Sequence, residues 1–132
     1  MIDFERMRYL MQAMPDLLWK VSVAQANATR TTSTITGMPH GGGQNHQEDG
    51  YINLAEIRDV YREAEAELEG MRKELNALLE NYEDPRGKAY LRYRYINGRT
   101  LAEIAEAEGR DRTTVFRIIK HAECCIMRAQ NA

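Results

Sequence analysis

Within nine positions near the C-terminus stand Arg112, Thr113, Phe116, Arg117 and Lys120, side chains suited to the edges and methyl groups of nucleic-acid bases. An arginine guanidinium bridges two acceptors such as O6 and N7 of guanine, threonine bonds singly, and a phenyl ring presses on a thymine methyl. Of these Lys120, together with Arg99, Thr100 and Arg110 just upstream, is better placed to hold phosphate oxygens, which fix register without reading a base. Each of these cations also has the plain reading of a solvated surface charge.

Other constellations are thinner. His121 and Cys124 are three residues apart on one helical turn, a spacing used in metal sites, but no second ligand pair accompanies them. His40 and His46 lie in a polar stretch without cysteines, and the run GMPHGGGQN lacks the Lys-Ser/Thr partner and preceding strand of a phosphate-cradling loop. No serine, cysteine or carboxylate set suggests catalysis. The expectation is a protein that is not an enzyme and needs no cofactor or metal. Cys124 and Cys125 are adjacent, where a mutual disulfide is strained, so reduced thiols are expected.

The first group of side chains needs a helix to project it. Thr100 followed three residues later by Glu103 forms a capping box, which starts a helix. Gly109 ends that helix, and Asp111 caps a second one beginning at Arg112. Leu101, Ile104 and Ala105 line one face of the first helix; Val115, Ile118, Ile119 and Ala122 line one face of the second. Small Ala105 permits a close crossing, Gly109 follows four residues on, and Val115 six beyond that. This is the pattern of a helix-turn-helix, whose second helix enters the major groove. Arg110 departs from it by standing where an apolar residue is usual. A third helix, from about Pro85 to Asn97 with Asp84 as its cap, supplies a wall through Ala89, Leu91, Tyr95 and Ile96.

Upstream, Asn53 and Glu56 look like another cap. From there Leu54, Ile57, Tyr61, Ala64, Leu68, Met71, Leu75, Leu78 and Tyr82 recur at alternating steps of three and four. A straight helix repeats every 3.6 residues, so a seven-residue stripe held over four heptads calls for a coiled-coil partner along about 45 to 50 Å. The stripe is read as the association surface of a homo-oligomer. Its partner is the N-terminal helix folded back, a second chain, or both, and the sequence leaves these three open.

The N-terminal helix carries Phe4, Met7, Met11, Met14, Leu18 and Val21 as one apolar stripe, with Pro15 marking a kink or a fresh start. Between the two helices, residues 27–50 hold three apolar side chains, Ala28, Ile35 and Met38, among Thr, Ser, Gly, Asn and Gln. That composition predicts a flexible linker.

Net charge is −2, which alone argues against nucleic acid, yet its distribution is uneven. Residues 87–132 hold nine Lys and Arg against five Asp and Glu, and residues 51–86 hold five against ten. A basic module attached to an acidic helix follows. No apolar run approaches the roughly 18 residues of a membrane span, and MIDFERMRYL is too charged for a signal peptide, so a cytoplasmic protein without membrane contact is expected.

The segment from Leu78 to Glu123 resembles region 4 of sigma-70-type factors, through Arg94-Tyr95-Ile96-Asn97-Gly98 and Glu103-Ile104-Ala105. The layout of the whole chain, with Ile35-Thr36-Gly37 in its Thr-rich stretch, resembles phage-encoded small regulators related to the ArpU and RinA late-gene activators. The resemblance implies double-stranded DNA binding near a promoter, with RNA polymerase as a second candidate partner, and it sets Arg94 against Glu103 on facing helices. The expected fold is all-α: an N-terminal helix over residues 1–26, a linker over 27–50, a heptad helix over 51–83 and a helix-turn-helix module over 84–132. The competing reading is a DNA-packaging or scaffold-type assembly protein, like a small terminase subunit, that oligomerises through the long helix.

Overall fold

In a computed structural model the chain is helical, with no strand among the described residues, which are 1–37 and 43–131 for the backbone and 1–29 and 54–131 for side chains. Helix α1 runs Phe4–Gly37, α2 Gly43–Glu80, α3 Pro85–Leu91, α4 Leu101–Glu108 and α5 Arg112–Asn131, and a π-helical turn, Arg92–Ile96, extends α3. No helix among the described residues is long and apolar enough to cross a membrane.

The chain divides into two compact units, one of Leu10–Glu67 and one of Met1–Tyr9 with Leu68–Ala132. In the first unit α1 and α2 meet through Ala24, Ala28 and Leu54, with Val21 and Ile57 packed beside them. These pairs place α1 antiparallel to α2. The N-terminal helix is therefore a partner of the heptad stripe at Leu54 and Ile57, within one chain. Leu54, Ala64, Leu68 and Leu75 are buried, and Ile57, Tyr61, Met71, Leu78 and Tyr82 are half-buried. The five half-buried members keep part of their surface outside the single chain.

Two boundaries also move. The stretch 27–50, expected as a flexible linker, is helical up to Gly37 and again from Gly43, so α1 and α2 overrun the expected 1–26 and 51–83. Thr, Ser, Asn and Gln cost only a few tenths of a kcal/mol each in a helix, so polar composition alone does not forbid one. His40 and the side chains of His46 and Ile35-Thr36-Gly37 lie outside the described residues. Pro15 sits inside α1 without ending it. The apolar stripe of α1 runs through Leu17, half-buried, and leaves Leu18 half-exposed at 52%. Leu10, Met14, Leu17, Val21, Ala24 and Ala28 thus step by four and three, matching the seven-residue repeat of α2.

The second unit holds the large buried side chains: Ile2, Phe4, Met7, Leu75, Leu79, Leu91, Tyr95, Ile104 and Val115 are each 5% exposed or less. α3 crosses α5 at Gly87, where a Cβ would come within 3.1 Å of the Ala122 Cβ. Only glycine allows that approach without a shift.

Candidate nucleic-acid interface

Local signals build the helix-turn-helix almost residue by residue. The Asp84 side chain accepts the Arg86 N–H and Pro85 opens α3, satisfying donors that have no partner in a first turn. Thr100 Oγ1 accepts the Glu103 N–H at 3.1 Å and caps α4. Gly109 adopts φ 64° and ψ 38°. That is the left-handed conformation glycine favours at a helix end. The Arg110 N–H returns to the Ala105 carbonyl at 2.9 Å. Asp111 follows, its carbonyl accepting the Val115 N–H at 3.0 Å, and α5 begins. The turn between the helices is residues 109–111.

On α5, Val115, Ile119 and Ala122 are buried, while Arg112, Thr113, Phe116, Arg117 and Lys120 are exposed on the opposite side. Phe116 is 51% exposed. It forms a wall of a cavity of 260 Å³ with Leu101, Arg94 and Lys120. Ile118, expected inside, is half-buried on a different wall. It lines a cleft of about 750 Å³ between the start of α3, the end of α4 and α5. The cleft brings together Arg86, Arg110, Arg117 and His121, with Asp84 and Glu108 at its margin. Arg99 and Thr100 lie exposed before α4. The Arg99 guanidinium stands 5.1 Å from the centre of the Tyr93 ring, a cation–π contact that limits its freedom.

The exposed face of α5 carries Arg112, Arg117, Lys120 and Arg128, and the helix holds one acid, Glu123. That acid is 6% exposed and is answered from inside. Tyr95 donates its hydroxyl to Glu123 Oε1, and Arg8 Nη1, from the opening turns of α1, donates to Tyr95 at 2.8 Å and to Glu123 at 3.1 Å. Burial pushes the Tyr95 hydroxyl well above the usual tyrosine range, and the hydrogen bond to Glu123 adds to it. Burial works against the charge on Arg8, but its bonds to Tyr95 and Glu123 outweigh that and raise its pKa. The π turn serves the same network. The Asn97 N–H reaches back five residues to the Arg92 carbonyl. The Tyr95 carbonyl, within that turn, accepts Arg72 Nε at 2.7 Å. Phe4 tilts against the Tyr95 ring with centroids 5.1 Å apart.

Sequence reasoning missed Arg8, Tyr95 and Glu123 as a unit. The available signal was Glu123 itself, an acid interrupting the apolar spacing of Ile119, Ala122 and Ile126. Arg94 and Glu103, expected on facing helices, form no ion pair among the described residues; Arg94 instead borders the cavity beside Phe116. His121 Nε2 lies 3.6 Å from Cys125 Sγ, one helical turn on, rather than pairing with Cys124, and both thiols are free. Among the described residues no three His, Cys, Asp or Glu side chains gather into a metal site.

A family model described as "Protein of unknown function (DUF1492)" matches residues 29–126. The chain belongs to that family. The match takes in the end of the DUF1492 chain's α1, all of α2, the α3 helix with its π turn, α4 and α5 as far as Ile126, but it starts downstream of Phe4 and Arg8. No curated protein and no solved structure matches the chain.

Proposed function

We propose that this DUF1492 chain is a DNA-binding transcriptional regulator of phage or prophage type, which inserts the first half of α5 into the major groove of double-stranded DNA. The observation that carries the reading is the charge of α5: four cations on the solvent face, and the single acid turned inward and held by Arg8 and Tyr95. α5 has 20 residues. A helix of that length spans about 30 Å, enough to cross a groove about 12 Å wide and meet phosphates on either bank.

Roles divide along the helix. Arg112 and Arg117 face outward near its start, where bidentate contact with guanine is sterically open, and Thr113 and Phe116 lie between them. Lys120, Arg99, Arg110 and Thr100 take phosphates. The sigma-70 region 4-like motif adds promoter proximity and RNA polymerase contact to the proposal, and a cytoplasmic site of action goes with it.

The test is a titration of wild type, Arg112→Ala, Arg117→Ala and Lys120→Ala against a duplex selected from a random pool and against unselected duplex, at two salt concentrations. Loss of either arginine is expected to cost about 1 to 3 kcal/mol on the selected duplex and to relax base preference. Loss of Lys120 is expected to weaken both duplexes alike and lower the salt slope by about one. Wild type binding neither duplex at low salt, or all three variants binding like wild type, would overturn the assignment.

A further inference from the structure

Residues 10–29, the part of α1 that packs on α2, contain two charged side chains, Asp16 and Lys20, and these pair with each other at 3.1 Å. A helix with one buried stripe ordinarily spends charge on its other side. Here the outermost line of α1 is apolar instead: Pro15, Trp19 and Val23, four residues apart in succession, are all exposed, with Ala26 beside them and the polar Gln12, Ser22 and Gln25 among the residues around them. Trp19 is 67% exposed. The inner side carries Leu10, Met14, Leu17 and Val21 together with small Ala24 and Ala28, which meet Leu54, so Trp19 and Val23 are left outside. An exposed tryptophan on an apolar line marks a surface that another protein covers, and tryptophan is prominent among the residues that dominate such contacts.

The geometry points to a second copy of this chain as the occupant, paired α1 to α1 about a two-fold axis near Trp19. Charge decides which helices meet. In α2, residues 54–67 carry five acids, Glu56, Asp59, Glu63, Glu65 and Glu67, against Arg58 and Arg62, all exposed, so α2 faces of two copies repel. The charge-neutral α1 faces do not. In an antiparallel pairing centred on Trp19, Pro15 of each copy falls opposite Val23 of the other. The same register brings Lys20 of one chain within reach of Asp16 of its partner, so the face is complementary to itself, as an isologous interface requires. Two antiparallel hairpins joined this way form a four-helix arrangement in which Trp19 and Val23 are enclosed.

Trp19 is the sole tryptophan, so its fluorescence reports on this face alone. The experiment is sedimentation of the full chain over a concentration series, with emission read on the same samples. Wild type is expected to have the mass of two chains and an emission that shifts to the blue as the dimer forms. Val23→Lys keeps the probe and adds a charge at an exposed position; it is expected to weaken pairing at least tenfold, hold the emission at its solvent-exposed wavelength and leave helix content unchanged. Asp16→Lys is expected to weaken pairing, and Asp16→Lys with Lys20→Asp to restore it. A wild-type mass of one chain at about 100 μM overturns the proposal and leaves the face to a different partner. A mass above two chains, or pairing indifferent to Val23→Lys with Trp19 still in water, overturns it equally.

Discussion

Arg8 on α1 and Glu123 on α5, 115 residues apart in sequence, meet at 3.1 Å with the Tyr95 hydroxyl between them. The Glu123 side chain is 7% exposed and that of Arg8 33%, so the pair is buried at its acidic end and wet at its basic end. Removing Arg8 leaves a carboxylate in the interior with one neutral donor. Arg8→Ala is expected to cost about 3 kcal/mol in urea unfolding, the low end for a broken buried pair because solvent already screens part of the arginine. Arg8→Met combined with Glu123→Leu is expected to recover most of that loss. A single variant as stable as wild type would show that the pair contributes nothing.

Alkaline unfolding follows from two tyrosines. Burial and a hydrogen bond to Cys125 push the Tyr82 hydroxyl up to about 12, and burial with the Glu123 contact raises that of Tyr95 further. The unfolded chain loses these protons near the ordinary value of about 10, so above it the folded state holds more protons and stability falls with pH. Their contribution is whole below pH 10 and, for Tyr82, is lost as pH rises through 12. Urea midpoints measured from pH 8 upward are expected to be flat and then to drop, and Tyr82→Phe is expected to make the drop shallower.

Backbone geometry sets three further costs. Thr100→Ala removes the α4 cap, a hydrogen bond to the Glu103 N–H, and is expected to cost about 1 kcal/mol. Gly109 sits in the left-handed region at φ 64°. Forcing a side chain into that region by Gly109→Ala is expected to cost about 1 to 2 kcal/mol. At Gly87 the conformation is ordinary but space is not: an added Cβ would meet Asp84 Oδ2 at 3.0 Å and the Tyr82 Cε1 and Ala122 Cβ at 3.1 Å. Gly87→Ala is expected to cost about 1 to 3 kcal/mol by separating α3 from α5. Calorimetric melting of the three variants orders them.

Leu68 lies at the middle of the heptad stripe and is 4% exposed within one chain. Leu68→Asp buries an unpaired carboxylate and is expected to lower stability by several kcal/mol whatever the oligomeric state. Circular dichroism melts at two protein concentrations distinguish this from an interface effect. A loss that vanishes on dilution would assign the stripe the role of an intermolecular seam.

The helix-turn-helix was legible because its determinants are local. Thr100, Gly109, Asp84-Pro85 and Asn97-Gly98 fix their helix ends through hydrogen bonds that span a few residues, and the sides of α4 and α5 follow from periodicity with Ile118 as the exception. Outward placement of Arg112, Phe116, Arg117 and Lys120 follows from the same spacing. The polar run over residues 27–50 misled because composition measures only a small preference per residue, too small to set where a helix ends. The heptad stripe of α2 was plain in the sequence, but what covers it was not. A periodic stripe specifies that a partner exists and is silent on its identity, and at Leu54 and Ile57 the structure supplies α1 from the same chain, in register through Leu17 rather than Leu18. The Arg8–Tyr95–Glu123 network and the π turn beneath it depend on contacts spanning up to 115 residues, whose energy arises only after α1 and α5 have been brought together. Sequence alone therefore determined the helices of the C-terminal module, their ends and the cationic face, each written in side chains a turn or two apart. Tertiary structure decided which faces are spent inside the chain, because burial belongs to pairs of surfaces that the sequence keeps far apart.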